Sequence, residues 1–262
     1  MRKFAGILLL LVGAGAAAAR WLDLASFTDA DTGFCLVGSV WVRYAVVAVL
    51  LAVGLLASCM ASRRPAAAEG RSIPLLLTAG LSAAAFAAAG AMQLAVCWQQ
   101  RSFSALETAR AVLALAAAWW LAAQAICWAG HGDARPAGGV AGGVIGSLFF
   151  FLLTFQRFVT NYSSIYRIAQ STQVFSALAA LVLTAVLLRV CTFPESRWGR
   201  KLYLAGIEAF YLCTCLELPQ AVFLWQNGKT TLADLSVSGA LAMLGLMGAA
   251  ASMAALSREK VE

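Results

Sequence analysis

Residues 73–98, IPLLLTAGLSAAAFAAAGAMQLAVCW, contain no Asp, Glu, Lys or Arg over 26 consecutive positions. A helix needs about 20 predominantly apolar residues to cross roughly 30 Å of hydrocarbon. This stretch is therefore long enough to span a bilayer as one helix, and seven similar stretches lie along the chain. The predicted spans are residues 4–20, 37–60, 73–98, 111–129, 137–155, 174–190, 202–225 and 232–256.

The composition of the whole chain agrees with this pattern. The 262 residues are 62% hydrophobic and only 12% charged, whereas a soluble domain is about 45–50% apolar and about 25% charged. Such a balance excludes a soluble enzyme, a disordered chain and a secreted disulfide scaffold. The predicted fold class is all-α: a polytopic transmembrane helical bundle of eight spans, forming one integral membrane domain over residues 1–262.

The net charge of +7 is interpreted as a topology signal and not as a sign of nucleic-acid binding. Cytoplasmic loops collect Lys and Arg, and alternate gaps and flanks here hold 12 of the 19 basic residues. This bias predicts a multi-pass protein of the plasma (inner) membrane with both termini in the cytoplasm. The residues predicted to be cytoplasmic are Arg63, Arg64, Arg200 and Lys201, and those predicted outside are Asp29, Asn161 and Lys229.

Two segments have particular interpretations. Met1-Arg2-Lys3, the apolar residues 4–12 and the small residues 17–19 together fit a cleavable signal peptide. Cleavage would leave seven spans without changing the downstream topology, and the sequence leaves both alternatives open. The gap 156–173 mixes aromatic and basic residues, which predicts a short amphipathic helix along the outer interface.

Small residues recur every four positions in two spans. Gly138, Gly142 and Gly146 share one face of the fifth span, and Gly80, Ala84 and Ala88 share one face of the third. Because small side chains let helix backbones approach closely in lipid, we expect these faces to lie against other helices.

Several chemistries lack the residues they need. His131 is the single histidine and lies in a predicted cytoplasmic loop. The chain therefore cannot supply a bis-histidine haem site or a multi-histidine metal site, and a Ser-His-Asp triad inside the membrane is unsupported. The seven cysteines include no CxxC pair, and no lysine lies in the middle of a span. We therefore expect no cofactor, no metal site and no enzyme activity.

Polar residues inside the spans are the remaining functional signal, because ionisable groups in a membrane are rare and costly. Glu217 lies inside the seventh span beside Pro219, which should kink the helix. At about 1.5 Å of rise per residue, several polar residues lie at similar depths in the outer leaflet. The predicted intramembrane polar cluster is Arg43, Gln93, Glu217, Gln220 and Asp234.

Glu217 has two interpretations. The first is a structural carboxylate that pairs with Arg43 and holds helices together, and the second is a group in a site for a ligand or ion. Residues 147–158, the apolar span 174–189 and the basic turn 197–201 resemble an uncharacterised family of multi-pass inner-membrane proteins from Gram-positive gut bacteria. That resemblance implies a membrane fold and carries no activity or site residues.

The sequence thus favours a binding, sensing or scaffold subunit of a membrane. Its expected partners are the lipid bilayer and other membrane chains, and its small-molecule ligand is not identified. The alternative is a small-solute or ion transporter with an intramembrane site around Glu217.

Overall fold

The computed structural model describes residues 2–29, 31–59, 61, 73–101, 104–130, 139–160, 168–193 and 198–256. This part of the chain is helical, apart from short connecting turns and an isolated β-bridge between Thr28 and Cys35. Eight helical stretches in it are long and apolar enough to cross a membrane. The predicted all-α, eight-span fold class is confirmed.

The spans are built from nine α-helices and one π-helical segment in the described part of the chain. The first six spans are single helices, the seventh consists of α7, the π segment and α8, and the eighth is α9. Their bounds are α1 (Arg2–Phe27), α2 (Val40–Ser58), α3 (Ile73–Gln99), α4 (Ala105–Gly130), α5 (Gly139–Thr160), α6 (Ile168–Thr192), α7 (Gly199–Ala209), the π segment (Phe210–Glu217), α8 (Leu218–Gln226) and α9 (Leu232–Leu256).

The seventh span and α9 form the centre of the bundle. Helix α9 packs against α1, α3, α6, α7, the π segment and α8. Small residues make this crowding possible: a Cβ atom added to Gly248 would lie 2.6 Å from the carbonyl oxygen of Gly206 on α7. In contrast, α1 and α2 lie at the periphery, since most of their residues are not buried inside the protein.

The glycine face of α5 lies against neighbouring helices, as expected. A Cβ atom on Gly146 would lie 2.7 Å from the Cβ of Trp120 on α4, and Gly143 packs against Leu188 on α6. Gly142 is buried as well, whereas Gly138 lies outside the described residues. These glycines therefore allow the helix backbones to approach closely.

The corresponding expectation for α3 is wrong. Gly80, Ala84 and Ala88 are exposed at the surface of the bundle, and a Cβ atom on Gly80 would meet open space. Helix α3 packs instead through a different face, on which Phe86 is fully buried and Gly90 contacts α4. The spacing of small residues defines a face, but it does not determine which neighbour covers that face.

Several helices extend further than the sequence predicted. Residues 156–160 are the last turn of α5 and residues 168–173 begin α6, so the predicted interfacial helix over 156–173 is wrong; residues 161–167 lie outside the described part. Similarly, α1 continues to Phe27, seven residues past the predicted end, and α4 begins at Ala105. As a result, Arg20 lies inside α1 and not at its end, and Arg110 and Arg157 belong to α4 and α5 although both fall outside the predicted spans.

One end of the bundle is defined by residues 28–29 and 31–39 between α1 and α2 and by residues 227–231 between α8 and α9, and we call it the loop end. An ion pair of 2.6 Å between Lys229 and Asp31 joins these two connections. At the same end, the Thr32 hydroxyl donates a 2.5 Å hydrogen bond to Asp29 and lowers the pKa of that carboxyl below its ordinary value.

Arg200 and Lys201 begin the seventh span and lie at the opposite end of the bundle. Which end faces the cytoplasm stays a prediction, and Arg63, Arg64 and Asn161 lie outside the described residues.

Candidate functional site

Glu217 is the last residue of the π segment and is completely buried. Pro219 follows two residues later, near the start of α8. Proline has no N–H to donate and its ring crowds the carbonyl four residues earlier, so a regular α-helical ladder cannot run through this point. The wider turns of the π segment take its place, and π-helical turns occur often at functional sites.

The partner of Glu217 is Arg157, in the last turn of α5. The two guanidinium nitrogens of Arg157 lie 2.6 Å and 3.0 Å from the two carboxylate oxygens of Glu217. The Ser238 hydroxyl donates to Oε1 at 2.7 Å, and the Ser176 hydroxyl donates to Oε2. Both oxygens therefore accept two hydrogen bonds, and this bidentate, charge-assisted pairing compensates for the burial of the carboxylate.

The predicted pair between Arg43 and Glu217 does not form. Arg43 binds Asp23 instead, with nitrogen–oxygen distances of 2.9 Å and 2.5 Å. Arg20 also binds Asp23, at 2.9 Å, and donates to Oε1 of Gln220 at 2.9 Å. We call Arg20, Asp23 and Arg43 the arginine–aspartate triad. Gln220 is thus linked to this triad and not to Glu217.

Gln93 and Asp234 meet a third arginine, Arg110 of α4. The Arg110 guanidinium lies 3.2 Å from Oε1 of Gln93, 3.4 Å from Oε1 of Gln156 and 3.9 Å from Oδ1 of Asp234. The other oxygen of Asp234 accepts a 2.7 Å hydrogen bond from the Thr231 hydroxyl at the start of α9. Asp234 is therefore engaged in capping α9, and its contact with Arg110 is long.

The five residues of the predicted cluster consequently lie near one end of the bundle but belong to three separate networks. Sequence reasoning missed the residues that organise these networks, namely Arg20, Asp23, Arg110, Arg157, Ser176 and Ser238. A signal was present for Arg157, because it follows the buried Leu153 by four positions and so shares its helix face.

A cleft of about 220 Å³ joins two of the networks at the loop end. Arg110, Arg157 and Asp234 supply its charges, and glutamine and hydroxyl side chains supply further polar groups. The rest of the lining is apolar and comes from α5, α8 and α9, namely Leu153, Ala221, Leu224, Leu235 and Val237.

Two buried donors near this cleft have no hydrogen-bond partner among the described residues. They are the Thr230 hydroxyl, which lines the cleft, and Nε2 of Gln93, whose oxygen accepts from Arg110. A buried polar group without a partner is destabilising, and such groups are commonly satisfied by a bound molecule or water. The lining of the cleft therefore combines a cation, the unpartnered Thr230 hydroxyl and an apolar wall.

The comparisons with known proteins add no relative: no family model, no curated protein and no solved structure matches the chain. The class of protein is nevertheless defined by its eight apolar helices, and it is a multi-pass integral membrane protein.

Proposed function

We propose that this protein is a non-enzymatic binding subunit of the plasma (inner) membrane that takes a small organic monocarboxylate into the cleft at its loop end. The observation that carries this proposal is the difference between the two arginines of the cleft. Arg157 is neutralised by a bidentate carboxylate at 2.6 Å and 3.0 Å, whereas the only carboxylate beside Arg110 among the described residues is 3.9 Å away.

Arg110 suits a carboxylate ligand because its present contacts are weak. A guanidinium carries five N–H donors in a planar fork that matches a carboxylate. The two amide oxygens at 3.2 Å and 3.4 Å are neutral acceptors at the long end of the hydrogen-bond range. A ligand carboxylate would replace them with charge-assisted bonds, which are roughly twice as strong as neutral ones.

The remaining lining limits the class of ligand. Leu153, Leu224 and Leu235 offer an apolar wall for a hydrocarbon body. Asp234 repels each negative charge brought beside Arg110, so a ligand with one carboxylate is disfavoured less than a ligand with two. The volume of about 220 Å³ corresponds to about seven waters at roughly 30 Å³ each, so it suits a ligand of a few carbons.

Hexanoate and hexanamide form a matched pair of probes, since they share a hydrocarbon body and differ in charge. We expect hexanoate to bind the protein in lipid nanodiscs at least about tenfold more tightly than hexanamide, since a hydrogen bond to a charged group contributes about 1.5–3 kcal/mol. Arg110→Gln should abolish the difference. Arg101→Gln removes the same charge from an exposed residue near the same end and should leave it unchanged.

Isothermal titration calorimetry measures these affinities directly. Equal binding of the two probes to the wild type, or an unchanged preference in Arg110→Gln, would contradict the proposed ligand class.

A transporter is the second candidate function, and the π segment favours it. π-helical turns occur often at functional sites, and this π segment ends at Glu217, whose partner Arg157 lines the cleft. Uptake of radiolabelled hexanoate into proteoliposomes distinguishes the two functions. Uptake that is lost in Arg110→Gln supports transport, whereas binding without uptake supports a binding subunit.

A further inference from the structure

A second groove lies between α1 and α2, apart from the cleft. Helix α1 packs on the π segment, α8 and α9, whereas α2 packs on α6 and α7, and a groove of about 200 Å³ remains between the two helices. Ala16 and Ala19 form the α1 wall, Val42 and Val46 form the α2 wall, and Leu216 of the π segment contributes to the floor. Since α1 and α2 are the least buried spans, the groove faces the region that lipid occupies.

The arginine–aspartate triad forms part of the lining of this groove. Arg20, Asp23 and Arg43 carry two positive charges and one negative charge, which gives a net charge of +1. The side chains of Arg20 and Arg43 are only 7% and 11% exposed, so little water reaches the excess charge. An unbalanced cation inside a membrane span is costly, and an anion bound in the groove would balance it.

The depth of the triad matches the headgroup region of one leaflet. Arg43 lies three residues from the start of α2 and Arg20 seven residues from the end of α1, which is roughly 4.5 Å and 10 Å along the helices at 1.5 Å per residue. From there, Ala19 and Ala16 continue the groove toward the middle of the bilayer. Charge near the interface and apolar walls below it match the layout of a phospholipid.

We propose that this groove binds an anionic phospholipid, with its phosphate at Arg20 and Arg43 and the upper part of one acyl chain between α1 and α2. The small side chains of Ala16 and Ala19 give the chain room beside α1. The triad supplies the charge that distinguishes an anionic lipid from a zwitterionic one. This site is separate from the carboxylate cleft and does not depend on it.

Native mass spectrometry of the purified protein, released from micelles with equal amounts of phosphatidylglycerol and phosphatidylcholine, tests the proposal. We expect bound phosphatidylglycerol to exceed phosphatidylcholine about fivefold, the effect of one basic residue near an anionic lipid. Arg43→Gln makes the triad neutral and should reduce the ratio to about one. Arg43→Lys keeps the charge and should retain most of the preference.

Filling the groove tests the acyl-chain part of the proposal. Ala19→Leu should reduce the binding of both lipids, whereas Ala18→Leu, on a neighbouring exposed position that does not line the groove, should leave it unchanged. Thermal stability in phosphatidylcholine alone identifies any variant that fails to fold, and the remaining variants then decide the result.

Three results would overturn the proposal. The first is equal binding of the two lipids to the wild type, and the second is a preference that survives Arg43→Gln. The third is displacement of the lipid by millimolar sn-glycerol 3-phosphate together with full binding by Ala19→Leu, which would make the site one for free phosphate and not for a lipid.

Discussion

Replacing Glu217 with glutamine tests the central ion pair of the bundle. In Glu217→Gln, the guanidinium of Arg157 loses a carboxylate that it contacts at 2.6 Å and 3.0 Å, yet the side chain stays only 13% exposed. Breaking a buried ion pair from one side costs about 3–5 kcal/mol, because the remaining charge is uncompensated. Glutamine keeps one acceptor oxygen, so we expect a loss near the lower end, about 3 kcal/mol.

A second substitution in the same chain identifies the true partner. Combining Glu217→Gln with Arg157→Met removes the uncompensated cation and should recover a large part of the lost stability. Combining Glu217→Gln with Arg43→Met serves as the control: Arg43 contacts Asp23, so this second loss should simply add to the first. Unfolding free energies from titration with sodium dodecyl sulfate in mixed micelles provide the measurement.

The pairing of Glu217 with Arg157 would be refuted if Arg43→Met restored stability to Glu217→Gln and Arg157→Met did not. A cost of Glu217→Gln below about 1 kcal/mol would also refute it, because that is the range of exposed ion pairs.

Three further predictions concern other parts of the bundle. Glu208 is half-buried beside an apolar groove and makes no hydrogen bond or ion pair within the described part of the chain. We therefore expect dicyclohexylcarbodiimide to label its carboxyl group and Glu208→Gln to lose that label, as measured by peptide mass spectrometry. Gly146→Leu should destabilise the fold by about 1–3 kcal/mol, as overpacking does, because its Cβ would lie 2.7 Å from an α4 side chain. Gly80→Leu, in open space, should be tolerated, and equal thermal stability of the two variants in detergent would contradict the prediction. In a cysteine-free background, an impermeant thiol reagent should label a cysteine at Asp31 from outside intact cells and fail to label one at Arg200, and outside labelling at Arg200 would contradict the predicted orientation.

The predicted polar cluster shows that helical rise gives the depth of a residue in the bundle but not its partner. Helical rise alone places Arg43, Glu217 and Asp234 toward the same end of the bundle, because depth follows from position along the chain. Pairing depends in addition on which helices are neighbours and on how each is rotated. The third span shows the same dependence on helix rotation: the spacing of small residues defines a face at Gly80, but the helix packs through another face.

The sequence by itself determined that eight helices are long and apolar enough to cross a membrane, because about 20 consecutive apolar residues are a local property of the chain. Only the tertiary structure decided where those helices end and what their polar residues do. Arg110 and Arg157 lie outside the predicted spans 111–129 and 137–155, because a cation inside a span is costly on its own. For Arg157 that cost is offset by Glu217, whereas Arg110 receives only amide oxygens and a carboxylate 3.9 Å away. Other helices bring these groups beside the two arginines, and no local pattern encodes such contacts.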